Sequence, residues 1–257
     1  MRRTKEFDKP DVITDIFWGV APHSQTILPT NDAWRYRRKL VSDLMSPAFL
    51  NNVAAPQFHS TFTELVAIWK QKMCLAQGHA VSIKEDVYEA ALEAIWSAVF
   101  GNDNMDTLTR RQGELLRNTK SIALPGDIDE AVDFDRPAAP AVFEAVLKLT
   151  DGVESTVKSP CPLVTGFLQR YWPSIRKHTK TKNRAIVEQI RYAEAKLAES
   201  RHTDDAVLST GVDHILYRER LAAEKEQRAP AYYSPAMKDD VSTPPALCTH
   251  LTSCYRS

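Results

Sequence analysis

Apolar positions recur at helical spacing through most of the chain. Over residues 33–45, Trp34, Arg38, Val41 and Met45 fall at i, i+4, i+7 and i+11, which predicts one shared helix face. Asn31-Asp32 offers a cap before this helix, and Pro47 is expected to end it. A second helix is predicted over 61–77, with Phe62, Leu65, Val66, Trp69 and Met73 as its apolar stripe and Gly78 as its stop. A third spans 84–100, with Val87, Ala91, Ala94, Ile95, Ala98 and Val99 inward and Gly101 closing it. A charged helix follows over 107–119. Periodicity resumes over 142–157 (Val142, Val146, Leu149, Val153), although Gly152 weakens it. The pattern of Ile186, Ile190, Ala193 and Leu197 predicts a helix over 176–200. Another covers 205–227, with Gly211 as a candidate break and Pro230 and Pro235 at its end.

The intervening stretches read differently. Residues 1–31 are punctuated by Pro10, Pro22 and Pro29 and are expected to be irregular. Residues 124–140 carry Asp127, Asp129, Glu130, Asp133 and Asp135 among three prolines, which predicts an exposed loop. Residues 159–173, with Pro160, Pro162, Phe167, Tyr171 and Trp172, read as a connector. After Asp240 the composition changes abruptly, and 242–257 show no periodicity, as expected of a disordered tail. The expectation is a mostly α, multi-helix domain over 1–241, with an irregular amino-terminal segment and a disordered tail over 242–257.

Composition supports helix over sheet: glycine is scarce, at 8 of 257 residues, and good helix formers dominate the long periodic stretches. Lys+Arg and Asp+Glu balance at 33 each, which argues against a generalised nucleic-acid binder. Cys74, Cys161, Cys248 and Cys254 are scattered without a C-x-x-C pair, so a reducing compartment is the default. The charged start lacks the apolar stretch of a signal peptide, and no window approaches the ~20 apolar residues of a spanning helix. The chain taken alone is expected to be soluble.

Residues 31–50, NDAWRYRRKLVSDLMSPAFL, carry the most chemistry. Trp34 and Arg38 stand four apart, so an indole N–H and a guanidinium project from one face, and both are donors only. Together they suit a carboxylate on a large planar ring, which arginine can bind with two parallel hydrogen bonds. The bland alternative is a core tryptophan with an arginine at its rim. Other patterns offer less. The seven histidines show no ligand spacing, and no P-loop, Gly-x-Gly-x-x-Gly, H-E-x-x-H or G-x-S-x-G occurs. Glu188 and Arg191 read as a solvated i,i+3 pair, and the basic run 170–191 as a solvated helix face.

The stretch Trp34, Arg38, Leu44 and Pro47-Ala48-Phe49 resembles the third main helix of cytochromes P-450, of fungal type. Residues 217–240, YRERLAAEKEQRAPAYYSPAMKDD, look like the approach to that family's long central helix. The resemblance covers most of 15–240 and implies an amino-terminal portion of a haem-dependent monooxygenase, an oxidoreductase inserting one oxygen atom into an organic substrate. It implies haem as cofactor, with Trp34 and Arg38 as donors to a haem propionate. By the same resemblance the partners are a small organic substrate and an NADPH-cytochrome reductase, with Arg35 and Lys39 exposed where a reductase docks. The location implied is the cytoplasm or the endoplasmic reticulum surface, and residues 22–28 would lie near substrate. The family's A-G-x-x-T motif and its F-x-x-G-x-R-x-C-x-G cysteine loop do not occur in this sequence. The chain alone is therefore expected to be non-catalytic and marginally folded, with no metal-ligating residue. A non-enzymatic helical interaction protein is the alternative.

Overall fold

A computed structural model describes residues 11–101, 107–199 and 208–242, and their regular structure is helical. In order these are α1 (Asp11–Trp18), α2 (Asp32–Leu40), α3 (Pro47–Phe49), a π-helical Leu50–Ala54, α4 (Ala55–Ala76), α5 (Lys84–Phe100) and α6 (Leu108–Asn118). Then come α7 (Ala141–Val157), α8 (Pro162–Tyr171), α9 (Pro173–Glu199), α10 (Gly211–Lys225) and α11 (Pro235–Ser242). The mostly α expectation holds. From residue 243 onward the expected tail, with Cys248 and Cys254, lies outside the described residues. Two compact units emerge: Met1–Ser46 with Ala141–Ser257, and Pro47–Pro140.

Three expectations are corrected. Residues 11–18 of the supposedly irregular start form α1, the 159–173 connector contains α8, and Pro47 begins a helix rather than ending one. Pro162, Pro173 and Pro235 likewise open helices. One reason covers all four prolines: a first-turn residue has no N–H to lose, and the ring presets the helical φ.

In the Pro47–Pro140 unit, Ile68, Ala76, Leu116, Val132 and Phe134 form a core with Trp69, Leu75, Val81 and Ile122 against it. The acidic loop is exposed except where Val132 and Phe134 reach this core. It is also pinned by backbone bonds from Ala80 N to Ile128 O and from Val132 N to Ala80 O, each 2.9 Å. α4 buries Thr61, Leu65, Ile68, Lys72 and Ala76, while Phe62, Val66 and Met73 of the expected stripe are exposed. The reason is Lys72, 1% exposed, whose ammonium donates to both carboxylate oxygens of Asp86 at 2.8 and 2.7 Å. Trp69 Nε1 (3.1 Å) and Arg136 Nη2 (2.7 Å) donate to the same carboxylate, and the ammonium lies over the Phe134 ring. α5 also buries Glu93, which accepts from Thr109 N at 3.1 Å and so caps α6 from a neighbouring helix. Burial pushes the Glu93 carboxyl up, against hydrogen bonds from Thr109.

In the other unit α9 is the spine, with α7, α8, α10 and α11 packed on it. Its expected stripe of Ile186, Ile190, Ala193 and Leu197 is buried, with Lys182 beneath the same face. α7 contributes Phe143, Ala145 and Leu149, and α10 contributes Val212, Ile215, Leu216 and Ala223. A Thr210–Asp213 capping box starts α10, which is why the helix begins at Gly211. Lys196 pairs with the buried Asp213 at 2.8 Å. α8 crosses the end of α1 where Gly19 meets Gly166, and a Cβ at Gly19 would lie 2.8 Å from the Gly166 carbonyl oxygen. Trp18 stacks on Phe167 beside this contact. Gly19→Ala must therefore push the two backbones apart, at an expected cost of about 1–3 kcal/mol. A thermal or urea melt reads it, and an unchanged midpoint would refute the close-approach argument. No helix among the described residues is long and apolar enough to cross a membrane.

Candidate functional site

α2 starts cleanly because the Asn31 side-chain oxygen accepts from Trp34 N at 2.9 Å. Arg37, Arg38 and Lys39 occupy its last turn, where the helix dipole favours cations. Leu40 is its last residue, and Ser42–Met45 tighten into a 3-10 turn. The expected face therefore does not continue: Val41 is buried and Met45 is 40% exposed. Trp34 and Arg38 do share a face within α2, the first half-buried and the second exposed. Neither the indole N–H nor the guanidinium has a hydrogen-bond or ion-pair partner among the described residues. Arg35 pairs with Asp32 at the surface, and Lys39 is exposed, as expected.

The remaining sides of α2 are held by polar contacts that the sequence does not reveal. The Tyr36 hydroxyl donates to Glu219 of α10 and accepts from Arg228 Nη2. Glu219, 1% exposed, also accepts from Arg228 Nη1 at 2.6 Å and from Ala231 N at 2.8 Å. Burial, then the hydrogen bond to Glu219, pushes the Tyr36 phenol up to about 12. Burial alone would raise Glu219. The bonds from Arg228, Tyr36 and Ala231 outweigh it and hold the carboxyl below its usual range.

Arg37 reaches the other way, to α11. Its Nε donates to Asp240 Oδ2 at 2.6 Å, and its Nη2 donates to the carbonyls of His23 and Ala236. The other Asp240 oxygen accepts from Gln25 N at 2.7 Å, and Asp239 accepts from His23 N at 2.9 Å. Buried Lys182 of α9 lies 3.8 Å from Asp239 and donates to the Ser242 hydroxyl. Burial raises Asp240, with the Arg37 ion pair opposing it, and burial lowers Lys182, with Asp239 opposing it. After α2, Asp43 accepts from Arg218 Nε and Nη2 at 2.5 and 2.8 Å, which raises the arginine's pKa.

The donor set left over fits an anion: two donors, no acceptor, one face. A haem propionate, a carboxylate on a wide apolar ring, matches that chemistry. Elsewhere the expectations fare unevenly. Glu188 and Arg191 are both exposed, and no ion pair joins them. The basic run is largely exposed, but Lys182 is buried and Arg170 lies over the Trp18 ring. Cys74 and Cys161 are exposed free thiols, and no metal-competent cluster exists among the described residues. Residues 22–28 hold the buried Ser24 and Gln25, gripped by α11 as above.

No family model matches the chain, and no solved structure matches it. Curated proteins do. The chain is 30% identical over 238 residues to the cytochrome P450 monooxygenase xilC of Penicillium crustosum, covering 91% of this chain and 40% of that protein. It is 28% identical over 247 residues to the cytochrome P450 monooxygenase TRI13 of Fusarium sporotrichioides, covering 94% of this chain and 42% of that one. The chain thus spans about two fifths of the length of these relatives. Four such matches, each named a cytochrome P450 monooxygenase, stand beside the mostly helical fold, and the chain belongs to the cytochrome P-450 family.

Proposed function

We propose that α2 serves a haem-dependent monooxygenase, with Trp34 Nε1–H and the Arg38 guanidinium donating to one haem propionate. The observation that carries this is a pair of donors on one helix face that have no partner among the described residues. Haem, when bound, supplies the oxygen-activating iron chemistry, tuned by its axial ligand. The contribution of this chain is to bind and orient: arginine supplies charge and a forked geometry, and the indole fixes a single direction. The substrate would be a small organic molecule and the electron donor an NADPH-cytochrome reductase. Exposed Arg35 and Lys39 offer that reductase a basic edge, in the cytoplasm or at the endoplasmic reticulum surface. None of the four cysteines stands in an F-x-x-G-x-R-x-C-x-G setting. This polypeptide by itself is therefore expected to show no thiolate-type Soret band in a reduced, CO-bound difference spectrum.

Hemin titration tests the reading. Arg38→Ala should weaken binding about 10- to 100-fold, as for a charge-assisted bond, and Trp34→Phe should weaken it several-fold. Hemin dimethyl ester, whose propionates carry no charge, should be nearly insensitive to the Arg38 change. Equal affinities of wild type and both variants would refute the assignment. They would favour instead a helical interaction protein using an apolar face such as Leu163, Phe167, Leu168 and Trp172, all exposed.

A further inference from the structure

We infer that Arg37 and Asp240 are positioning residues, which set the rotation of α2 and so aim the Trp34–Arg38 face; this rests on the haem reading above. Successive helical residues are turned by about 100°, so Trp34 and Arg38 lie on one side of α2 and Tyr36 and Leu40 on the opposite side. Arg37 projects from the flank between them. The back of the helix is held by the buried Leu40 and by Tyr36 on Glu219. A single line of attachment along the back leaves rolling about the helix axis unopposed. The Arg37 bridge opposes it.

Three features suit Arg37 to that task. Its side chain is largely buried, at 12% exposed, and Asp240's is 5% exposed, so water competes little for the bond. Its fork engages three acceptors on separate residues, Asp240, Ala236 and His23, which fixes the guanidinium in position and in plane. Its main acceptor is itself fixed, because Gln25 N holds the other Asp240 oxygen while Asp239 holds His23 N. Adjacent arginines on one short helix thus divide the work. Arg37 is engaged inside the protein, and Arg38 is left outside, without a partner among the described residues. A site in which donors are held by a supporting layer loses affinity when that layer is removed, even if the donors remain.

The test uses the full chain and two readouts, hemin affinity and amide hydrogen exchange along α2. Arg37→Ala and Asp240→Asn should each weaken hemin binding about tenfold and speed exchange of the α2 amides at least about tenfold, while α9 stays protected. Arg38→Ala should weaken hemin binding with α2 exchange unchanged. The Arg37→Ala/Arg38→Ala pair should fall clearly short of additivity, binding worse than Arg38→Ala by no more than the several-fold share of Trp34, because the part of the Arg37 effect that acts through Arg38 has nothing left to lose. Should Arg37→Ala fail to fold, Arg37→Lys keeps the charge without the fork and is expected to show the same exchange effect, smaller in size. Unchanged α2 exchange in these variants, or full additivity in the double variant, overturns the inference and leaves the propionate reading standing. Wild-type hemin affinity in Arg38→Ala and Trp34→Phe, with the exchange effect intact, overturns the propionate reading and with it the purpose assigned to Arg37.

Discussion

Asp86→Ala should destabilise the Pro47–Pro140 unit by about 3–5 kcal/mol, the loss expected when one partner of a buried ion pair is deleted. The carboxylate neutralises Lys72, whose side chain is 2% exposed, and it accepts at the same time from Trp69 and Arg136. Removing it strands a buried ammonium away from water. Arg136 is less affected, being about a third exposed and already bonded to Glu89 at 3.1 Å. The comparison that isolates the stranded charge is Lys72→Met/Asp86→Leu, which removes both partners and should recover most of the loss. Guanidinium melts read both variants. If Asp86→Ala lost under about 1 kcal/mol, the pair would be no better than an exposed salt bridge.

The second large effect is at Glu219. Glu219→Ala removes the common acceptor of Arg228, Tyr36 and Ala231 N, and is expected to cost about 3 kcal/mol by leaving these donors unsatisfied. A pH dependence follows from the same contacts. The folded state holds Glu219 below its ordinary range, so it binds that proton less readily than the unfolded chain does. Its contribution is complete above the unfolded value of about 4.3 and is lost as pH falls through the lower, folded value. Glu89, Glu93 and Asp240, raised by burial, act in the opposite sense: they favour the folded state at low pH, and that help fades as pH rises through their folded values. The difference between wild type and Glu219→Gln separates the two. It should shrink on acidification below about pH 4.3, and a difference that stays constant would exclude this linkage.

Where local pattern decides structure, the sequence was readable. The stripe of α9 is buried at each of Ile186, Ile190, Ala193 and Leu197, and α5 has the expected bounds. Where a distant partner decides, it was not. α4 turns its Phe62–Val66–Met73 side outward because Lys72 has Asp86 to meet, and lysine without a known partner reads as surface. The prolines at 47 and 162 punctuate equally well as first-turn residues or as stops, and sequence alone does not choose. The site divides in the same way. Trp34 and Arg38 are visible as a spaced pair, whereas the supports of α2 pair Tyr36 with Glu219 and Arg37 with Asp240, 183 and 203 residues away. No short-range signal marks such pairs.

That separation has a consequence during synthesis. A ribosome adding about 5–20 residues per second needs roughly 10–40 s to travel from Arg37 to Asp240, 203 residues on. Over that interval the whole contiguous Pro47–Pro140 segment emerges and has its own core to collapse on, including both partners of the Lys72–Asp86 pair. α2 is made before it, but its distant supports, Glu219 of α10 and Asp240 of α11, are made later. The first of the two site-bearing arginines to be translated is thus among the last residues to find its partner. The helix that carries Trp34 and Arg38 is therefore expected to gain its orientation late, once α10 and α11 have been made.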